Sequence, residues 1–416
     1  MRQWYVKKQF LNITKLNNYT VRVISNLGLE CCGHRYNYPE SQRSHDMKTL
    51  WCVLSNDLKS SGEFKGISNS SPTKCVDDPN TLASIAEDSL DDHNSMACEE
   101  MSTYFTGTHE VQECLEGQGE VDLHTHLANC EKNPGHKNFV PLKQLSVEHF
   151  PSGYHDNDLY DTTKALADLT VRIAVKLTSP DRPEFVPGTK DPYPCYNTRG
   201  QNSLRTGTGR VGQVDKYTER MDQTYKTYRT CPCPECDHSD TPSKVWWEVR
   251  VLTARHVVFD SSEARQSSCR LWFDDDKSPV VNIYGWKVGV SDTEEDWCSL
   301  YSVTHDVDVG DKLEEMWRRI DDLCDKVRDK YKSRRDVDKL TIIVSHPHGC
   351  SKQVSVGHWV DRQVVWGSST RYTYTTATCP GSSGAVVYRL GCGWYGHLHS
   401  GANSGGLNYS GVEWDL

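Results

Sequence analysis

Residues Cys379 to Ala385 carry the strongest chemical signal in this chain; they read Cys-Pro-Gly-Ser-Ser-Gly-Ala. A serine that acts as a nucleophile in acyl transfer needs a tight turn that exposes its hydroxyl and aims backbone N–H groups at the oxyanion. Gly381 and Gly384 can adopt the backbone shape of such a turn. Ser383, rather than Ser382, is the candidate nucleophile because only Ser383 has glycines at both offsets. Taken alone, the run also fits a plain surface turn.

A candidate base lies upstream, where the alternating run Trp246 to Leu252 predicts a strand. The strand leads into Thr253-Ala254-Arg255-His256-Val257-Val258. Imidazole suits general-base work near neutral pH, so His256 can take the serine proton. The alternative is a structural histidine at a strand end, since the chain has 17 histidines.

A candidate orienting carboxylate follows at Asp296, the last residue of an acidic cluster. The strand-like run Trp297 to Leu300 comes directly after it. Asp296 is therefore expected beneath the imidazole, where it would fix the tautomer and stabilise the imidazolium. The acids Asp292, Glu294 and Glu295 are expected to be solvated loop residues.

The order His256, Asp296, Ser383, with separations of 40 and 87 residues, resembles the chymotrypsin-like (trypsin-like) serine peptidase family. The resemblance implies two six-stranded antiparallel β-barrels with the catalytic triad in the cleft. It also implies an oxyanion hole formed by the N–H groups of Gly381 and Ser383. The Gly-x-Ser-x-Gly signature of other serine hydrolases does not fit, because there the histidine follows the serine.

Ser382 stands where trypsin-type enzymes carry the aspartate that pairs with a new N-terminus after zymogen cleavage. The run Gly207-Thr208-Gly209-Arg210-Val211 resembles the Gly-Ser-Gly-Phe strand of the non-zymogen branches. The chain is thus more similar to the HtrA-like and viral branches than to trypsin itself.

The resemblance also points to the pocket that receives the residue before the scissile bond. Ala377 and Thr378 are expected on one wall, and His399 on a later strand. Thr378 and His399 together resemble the glutamate-specific bacterial peptidases and the picornaviral enzymes that take glutamine. Hydroxyl and imidazole donors suit a carboxylate or carboxamide oxygen. Alternatively, His397 and His399 are ordinary strand residues.

A cysteine group precedes the histidine strand, in the run from Cys231 to His238. Cys231, Cys233 and Cys236 can share one tetrahedral zinc with His238 or Cys269 as the fourth ligand. The alternative is a reduced cysteine-rich loop. His124, His126 and Cys130 form a weaker candidate for a metal site. We expect the pair His346 and His348 to be structural.

The elements that position these residues are mainly strands. The alternating run Thr170 to Leu177 predicts the first strand of a peptidase domain over 165–416. Apolar residues at spacings of three and four predict an amphipathic helix inserted at about 310–332, either packed on the core or docking a partner. Residues 1–150 carry no motif; they could form a regulatory domain, a degenerate module or a partly disordered region.

Composition restricts the function classes. The net charge of −10 and the absence of a basic stripe argue against a nucleic-acid partner. Mean hydropathy is −0.67, and no apolar run reaches the roughly 18 residues of a membrane helix. No secretory signal is visible, so we expect a cytoplasmic protein whose 17 cysteines are mostly reduced. If a leader is missing, disulfides become an alternative.

The sequence therefore predicts a serine endopeptidase that acts on a protein or peptide substrate, with a preference for Glu or Gln before the scissile bond and no cofactor for catalysis. Two alternatives to an endopeptidase stay open. The first is a catalytically inactive peptidase fold that serves as a binding or adaptor module. The second is an adaptor held together by zinc at Cys231, Cys233 and Cys236.

Overall fold

The computed structural model describes residues 107–114, 119–218, 230–393 and 395–414. These residues belong to one compact unit, Asp92–Leu416. Most of the region 1–150, for which the sequence carried no motif, lies outside the described residues.

Sixteen strands and six α-helices make up the described part of the chain. The strands are β1 (Gly107–His109), β2 (Gln112–Glu113), β3 (Val140–Pro141), β4 (Thr170–Val175), β5 (Arg205–Tyr217), β6 (Trp246–Thr253), β7 (Ser267–Leu271), β8 (Val281–Asp292), β9 (Trp297–Thr304), β10 (Leu340–Ser345), β11 (Gln353–Trp366), β12 (Ser369–Tyr374), β13 (Val387–Arg389), β14 (His399–Asn403), β15 (Asn408–Ser410) and β16 (Glu413–Trp414). The helices are α1 (Leu123–Ala128), α2 (Asn157–Asp168), α3 (Pro234–Asp237), α4 (Ser261–Ala264), α5 (Val307–Tyr331) and α6 (Arg335–Asp338).

Six strands form a closed antiparallel barrel in the order β4-β5-β6-β9-β8-β7, and β7 pairs back to β4. Alternating side chains of these strands fill the interior; Ile173, Val251 and Leu300 are fully buried there. The alternation places apolar residues inside because successive side chains of a strand point to opposite faces. The mainly β fold and one of the two six-stranded antiparallel barrels expected from the sequence are confirmed.

A second antiparallel sheet follows in the chain, with the order β13-β10-β11-β12-β15-β14. Its two ends, β13 and β14, are joined by an isolated bridge between Val386 and Leu398. This bridge is shorter than the ladders that close the first barrel. The nucleophile turn, residues Cys379 to Ala385 with the candidate nucleophile Ser383, lies between β12 and β13, immediately before the bridge.

Residues before 150 add strands to both sheets. β1 pairs with β14, and β3 pairs with β11, so both extend the second sheet. β2 pairs with β5 of the barrel. The segment Gly107 to Cys114 thus crosses from the second sheet to the first barrel.

Helix α5 begins close to the expected position and ends at Tyr331. The Asp306 side chain caps its N-terminus by accepting a hydrogen bond from the Val309 N–H at 3.1 Å. Leu313, Ile320 and Val327 are fully buried on its inner face. α5 therefore packs on the core, as its amphipathic pattern indicated.

Two further expectations concern membrane-spanning helices and disulfide bonds. Across the part of the chain that the structure describes, no helix combines the length and apolar character that crossing a membrane requires. No disulfide joins the cysteines in the described ranges, and all of these cysteines are buried.

Candidate active site

The turn that carries Ser383 depends on its two glycines. Gly381 has φ +94° and Gly384 has φ +85°, a left-handed backbone that residues with a Cβ rarely adopt. Close neighbours also exclude a side chain, because a Cβ on Gly384 would lie 2.2 Å from the carbonyl oxygen of Thr208. Conformation and space therefore both require glycine here.

Thr208 of β5 holds this turn against the barrel. Its N–H donates to the Ser383 carbonyl at 2.8 Å, and its hydroxyl donates to the Gly381 carbonyl at 2.8 Å. The same hydroxyl accepts a hydrogen bond from the His346 N–H at 3.0 Å. The Gly207-Thr208-Gly209 run, which resembles a family strand in sequence, thus fixes the backbone on both sides of Ser382.

Ser382 is satisfied without a charged partner. Its hydroxyl lies 3.1 Å from the hydroxyl of Ser345 and accepts from the Cys379 N–H at 3.2 Å. Ser382, at the position where trypsin-type enzymes carry an aspartate, therefore forms hydrogen bonds with neighbouring uncharged groups.

The pairing of β6 with β9 brings His256 to Asp296. Thr253 pairs with Cys298, so the residues that follow β6 lie beside those that precede β9. Nδ1 of His256 lies 2.7 Å from Oδ2 and 2.9 Å from Oδ1 of Asp296. The His256 N–H donates to Oδ1 at 3.0 Å.

Asp296 is held as a carboxylate. Burial alone would raise its pKa, but the nearby His256 and His109 rings and hydrogen bonds from His256 and Ser400 outweigh burial and lower the pKa to about 2. An ionised Asp296 accepts hydrogen bonds, so Nδ1 of His256 carries a proton. A neutral imidazole then presents Nε2 as the base, as general-base chemistry requires.

The Ser383 hydroxyl contacts a peptide carbonyl of its own chain. Ser383 Oγ donates to the Glu110 carbonyl oxygen at 2.6 Å, and the Gly381 N–H donates to the same oxygen at 3.3 Å. Nε2 of His256 has no hydrogen-bond partner among the described residues. The candidate nucleophile, one candidate oxyanion donor and a peptide carbonyl therefore lie together, and Ser383 Oγ is not hydrogen-bonded to the candidate base.

The carboxylate of Glu110 lies in a buried polar pocket. Oε2 accepts from the Thr378 hydroxyl at 2.9 Å and lies 2.8 Å from Nε2 of His399, and Oε1 forms an ion pair with Lys132. Burial would raise the Glu110 pKa, but His399 and Lys132 together outweigh it and lower the pKa to about 2. Three donors thus converge on an ionised carboxylate.

Tyr374 orients His399 by contacting the ring nitrogen that faces away from Glu110. The Tyr374 hydroxyl lies 2.6 Å from Nδ1 of His399 and 3.1 Å from the Tyr409 carbonyl oxygen, and by donating to Nδ1 it leaves the proton of His399 on Nε2. With Nδ1 engaged by Tyr374, Nε2 is fixed in direction toward the pocket. Lys132 is anchored as well, because it donates to Asn408 Oδ1 at 2.7 Å and to Thr378 Oγ1 at 3.1 Å.

Of the three residues expected in the pocket, the structure brings Thr378 and His399 to the Glu110 side chain. Ala377 packs instead with Cys130, Phe139 and Cys379. The neighbouring His397 faces away, with Nε2 2.9 Å from the Thr370 carbonyl oxygen.

Sequence reasoning did not find Glu110, Lys132 or Ser400. Ser400 could have been found, because it stands between the candidate His399 and Gly401 on the same strand. Glu110 and Lys132 carry no motif, and Glu110 meets Thr378 across 268 residues. Their role is set by tertiary contacts.

The three thiols of the predicted zinc group lie together, but with a different histidine. Nδ1 of His305 is 3.9, 3.3 and 3.6 Å from the sulfurs of Cys231, Cys233 and Cys236. His238 ends the short helix α3 and is exposed. Among the described residues, the other expected ligand, Cys269, lies elsewhere, 3.6 Å from the Ser302 hydroxyl.

A second group of potential metal ligands lies beside the nucleophile turn. Cys130, His136, His348 and Cys379 place one ligand atom each within 4.8 Å of one another. The Cys379 sulfur is 3.5 Å from that of Cys130 and 3.4 Å from Nε2 of His136. The sequence pattern had grouped Cys130 with His124 and His126 instead, and had indicated a structural role for His348.

The comparisons with known proteins are distant. No protein-family profile matches the sequence. A search of curated proteins found no relative. Among solved structures, the Rv3671c protease of M. tuberculosis in its active form is similar, with 12% identity, coverage of 62% of this chain and 82% of that one, and a TM-score of 0.32. The HtrA-type protease AlgW with a tripeptide has 11% identity, covers 61% of this chain and 58% of its own, and has a TM-score of 0.30.

The fold is chymotrypsin-like. The decisive features lie in the chain itself: a closed six-stranded antiparallel barrel that presents His256 and Asp296, and a second sheet that presents the Ser383 turn.

Proposed function

We propose that this chain is a serine endopeptidase that cuts peptide bonds after glutamate. Ser383 attacks the carbonyl carbon, and His256 takes the hydroxyl proton and returns it to the leaving amine. Asp296 orients His256, and the N–H groups of Gly381 and Ser383 stabilise the oxyanion.

The observation that carries the proposal is the pair of hydrogen bonds that the peptide carbonyl of Glu110 accepts. The Glu110 carbonyl oxygen accepts from both Ser383 Oγ and the Gly381 N–H, at 2.6 and 3.3 Å. The ionised Asp296 with His256 supplies a base whose Nε2 has no other partner among the described residues. Reaction requires Ser383 Oγ to leave its hydrogen bond with the Glu110 carbonyl and to come within hydrogen-bond distance of Nε2 of His256.

The preference for glutamate over glutamine follows from charge. Thr378 and His399 can donate to either a carboxylate or a carboxamide, but the Lys132 ammonium favours a negative charge. The pocket is buried, so an apolar side chain would leave these donors without partners, and a carboxamide would leave the Lys132 ammonium without a counter-charge.

The test compares the full chain with Ser383→Ala on fluorogenic peptides that differ only in Glu, Gln, Asp or Ala before the scissile bond. We expect hydrolysis after Glu by the unmodified chain and a loss of roughly 10³-fold or more in Ser383→Ala. Circular dichroism of both proteins controls for folding. Unchanged hydrolysis in Ser383→Ala would contradict the assignment.

One observation favours the alternative of an inactive binding module. The Ser383 hydroxyl donates to the Glu110 carbonyl rather than to His256. A fluorophosphonate probe separates the two functions, because only an activated serine reacts. Labelling of Ser383 supports the endopeptidase, and a folded, unlabelled chain supports the module.

A further inference from the structure

The segment from Gly107 to Glu113 lies across the cleft as a peptide substrate would. Gly107, Thr108 and His109 pair antiparallel with Asn403, Ala402 and Gly401. This is strand addition to a sheet edge, a common way for proteins to bind extended peptides. The Glu110 N–H continues the pairing by donating to the Ser400 carbonyl at 3.1 Å.

Beyond Glu110 the chain leaves the second sheet and joins the first barrel. Gln112 and Glu113 pair with Thr206 and Arg205 of β5. The bond between Glu110 and Val111 therefore lies at the crossing between the two sheets, where the Ser383 hydroxyl is found. Residues on both sides of this bond are held by backbone pairing.

His109 fills the position next to Glu110. Its ring lies 4.6 Å from that of His256, centroid to centroid, in an edge-to-face arrangement. Nε2 of His109 is 3.7 Å from Oδ2 of Asp296. The chain's own segment thus covers the base and its orienting carboxylate and keeps water from the pair.

We propose that the chain cuts itself, within one molecule, between Glu110 and Val111. The inference rests on the proposed function and names its first substrate. Five contacts of Glu110 support it: the carbonyl with Ser383 and Gly381, the N–H with Ser400, and the side chain with Thr378 and His399.

The reaction balances as a hydrolysis. Ser383 Oγ bonds to the Glu110 carbonyl carbon, the bond to the Val111 nitrogen breaks, and His256 carries the serine proton to that nitrogen. Water then adds to the resulting ester, giving one proton to His256, and Ser383 Oγ leaves with that proton. The products are a carboxylate at Glu110 and an amine at Val111.

The first experiment follows the full chain and its variants by intact mass and N-terminal sequencing. We expect a new N-terminus at Val111 in the unmodified chain and none in Ser383→Ala. Glu110→Ala is expected to lower the cleavage rate by about 10³-fold or more, because the buried donors lose their partner. The matched control Glu131→Ala, which removes an exposed acid beside Lys132, should cleave like the unmodified chain.

The second measurement tests whether the cut occurs within one molecule. An intramolecular reaction has a rate constant that does not change over a roughly hundredfold dilution, since no encounter step is needed. A rate proportional to concentration would overturn the intramolecular cut. A Val111 terminus in Ser383→Ala would show that another protease makes the cut and would also overturn the proposal.

The two proposals fail differently. If Ser383 is labelled by a fluorophosphonate and Glu peptides are hydrolysed, but no Val111 terminus forms, self-cleavage is wrong and the endopeptidase stands. If labelling, hydrolysis and the Val111 terminus are all absent in a folded chain, both are wrong. Glu110→Ala should still be labelled, because the substitution leaves Ser383, His256 and Asp296 unchanged.

A second inference rests on the two groups of thiols and imidazoles. We infer that each binds one zinc ion: the first at Cys231, Cys233, Cys236 and His305, the second at Cys130, His136, His348 and Cys379. Ligand atoms around a tetrahedral zinc lie roughly 3.3 to 3.8 Å apart, given bonds of about 2.0 to 2.3 Å. Five of the separations run from 3.3 to 3.9 Å; four of them fall within this range and the fifth, from His305 Nδ1 to the Cys231 sulfur, exceeds it by about 0.1 Å. All the ligand atoms of each group lie within 4.8 Å of one another.

The second group has a further sign of a ligand. Nδ1 of His348 lies 2.8 Å from Oε1 of Gln112, while its Nε2 is buried without a hydrogen-bond partner among the described residues. A metal-binding histidine commonly uses one ring nitrogen for the metal and the other for an orienting hydrogen bond. Both sites would have four protein ligands and hence a structural role.

Elemental analysis of the purified full chain tests this inference. We expect two zinc ions per chain, one after Cys236→Ser, one after Cys130→Ser, and two in the control His238→Ala. If a variant fails to fold, zinc released from the unmodified chain by a thiol-blocking reagent gives the same count. Less than about 0.2 zinc per chain would overturn both sites. A disulfide between Cys130 and Cys379 under non-reducing mass spectrometry would overturn the second.

Discussion

Nε2 of His399 lies 2.8 Å from Oε2 of Glu110, although 289 residues separate them in the sequence. The contact joins a strand after the nucleophile to a segment far before the barrel. It places a glutamate carboxylate against one of the residues predicted to line the substrate pocket.

His399 is expected to determine the preference for glutamate. In the Glu110→Ala background, which removes the chain's own carboxylate from the pocket, His399→Leu should lower kcat/KM for Glu peptides by about 10² to 10³-fold. The values for Ala peptides should change less than about tenfold. His358→Leu, at an exposed histidine, is the control. Equal losses on Glu and Ala peptides would show that His399 supports the fold rather than specificity.

Thr208 is expected to act as a positioning residue for the oxyanion turn. Thr208→Ala removes the hydroxyl that donates to Gly381 and accepts from His346, so it should destabilise the chain by about 1 to 3 kcal/mol. It should also slow fluorophosphonate labelling of Ser383. Thr208→Ser keeps the hydroxyl and should restore both the urea midpoint and the labelling rate. A labelling rate unchanged in Thr208→Ala would contradict this role.

The buried ion group beneath the His256 loop is expected to be essential for folding. The Glu263 carboxylate binds Arg182 and Arg205 and accepts the Phe259 N–H at 2.7 Å. Glu263→Ala leaves two buried guanidinium groups unpaired and should cost about 3 to 5 kcal/mol in urea unfolding. The control Asp329→Ala breaks a pair with Lys332 in which both side chains are exposed and should leave the urea midpoint nearly unchanged. Comparable losses would argue against this network.

Acid is expected to weaken the chain through Glu110 and Asp296. Their pKa values fall from 4.5 and 3.8 to about 2 in the folded chain. Stability from these groups is therefore complete above about pH 4.5 and lost as the pH falls toward 2.

The measurement uses Ser383→Ala, which keeps the chain intact. Urea midpoints at about pH 6 and pH 3 should differ less when Glu110→Gln is added, because glutamine does not titrate. An equal difference in both proteins would mean that Glu110 does not contribute.

The order His256, Asp296, Ser383 could be predicted from the sequence because each residue stands beside a local pattern. An alternating strand precedes the histidine, a strand follows the aspartate, and glycines flank the serine. Helix α5 was also predictable, since its buried positions repeat at helical spacing. Such patterns report which face of an element is buried.

Other parts of the site were decided by tertiary structure. Glu110, Lys132 and His305 lie in segments whose local sequence marks no function, and their partners are contributed by distant strands and loops. His305, rather than the nearby His238, lies beside the three thiols because it directly follows the end of β9. The sequence by itself identified the candidate residues of the cleft, His256, Asp296 and Ser383, because strand pattern and glycine placement are local. The tertiary structure decided that the segment around Glu110 lies in this cleft, because packing brings together residues that no local pattern connects.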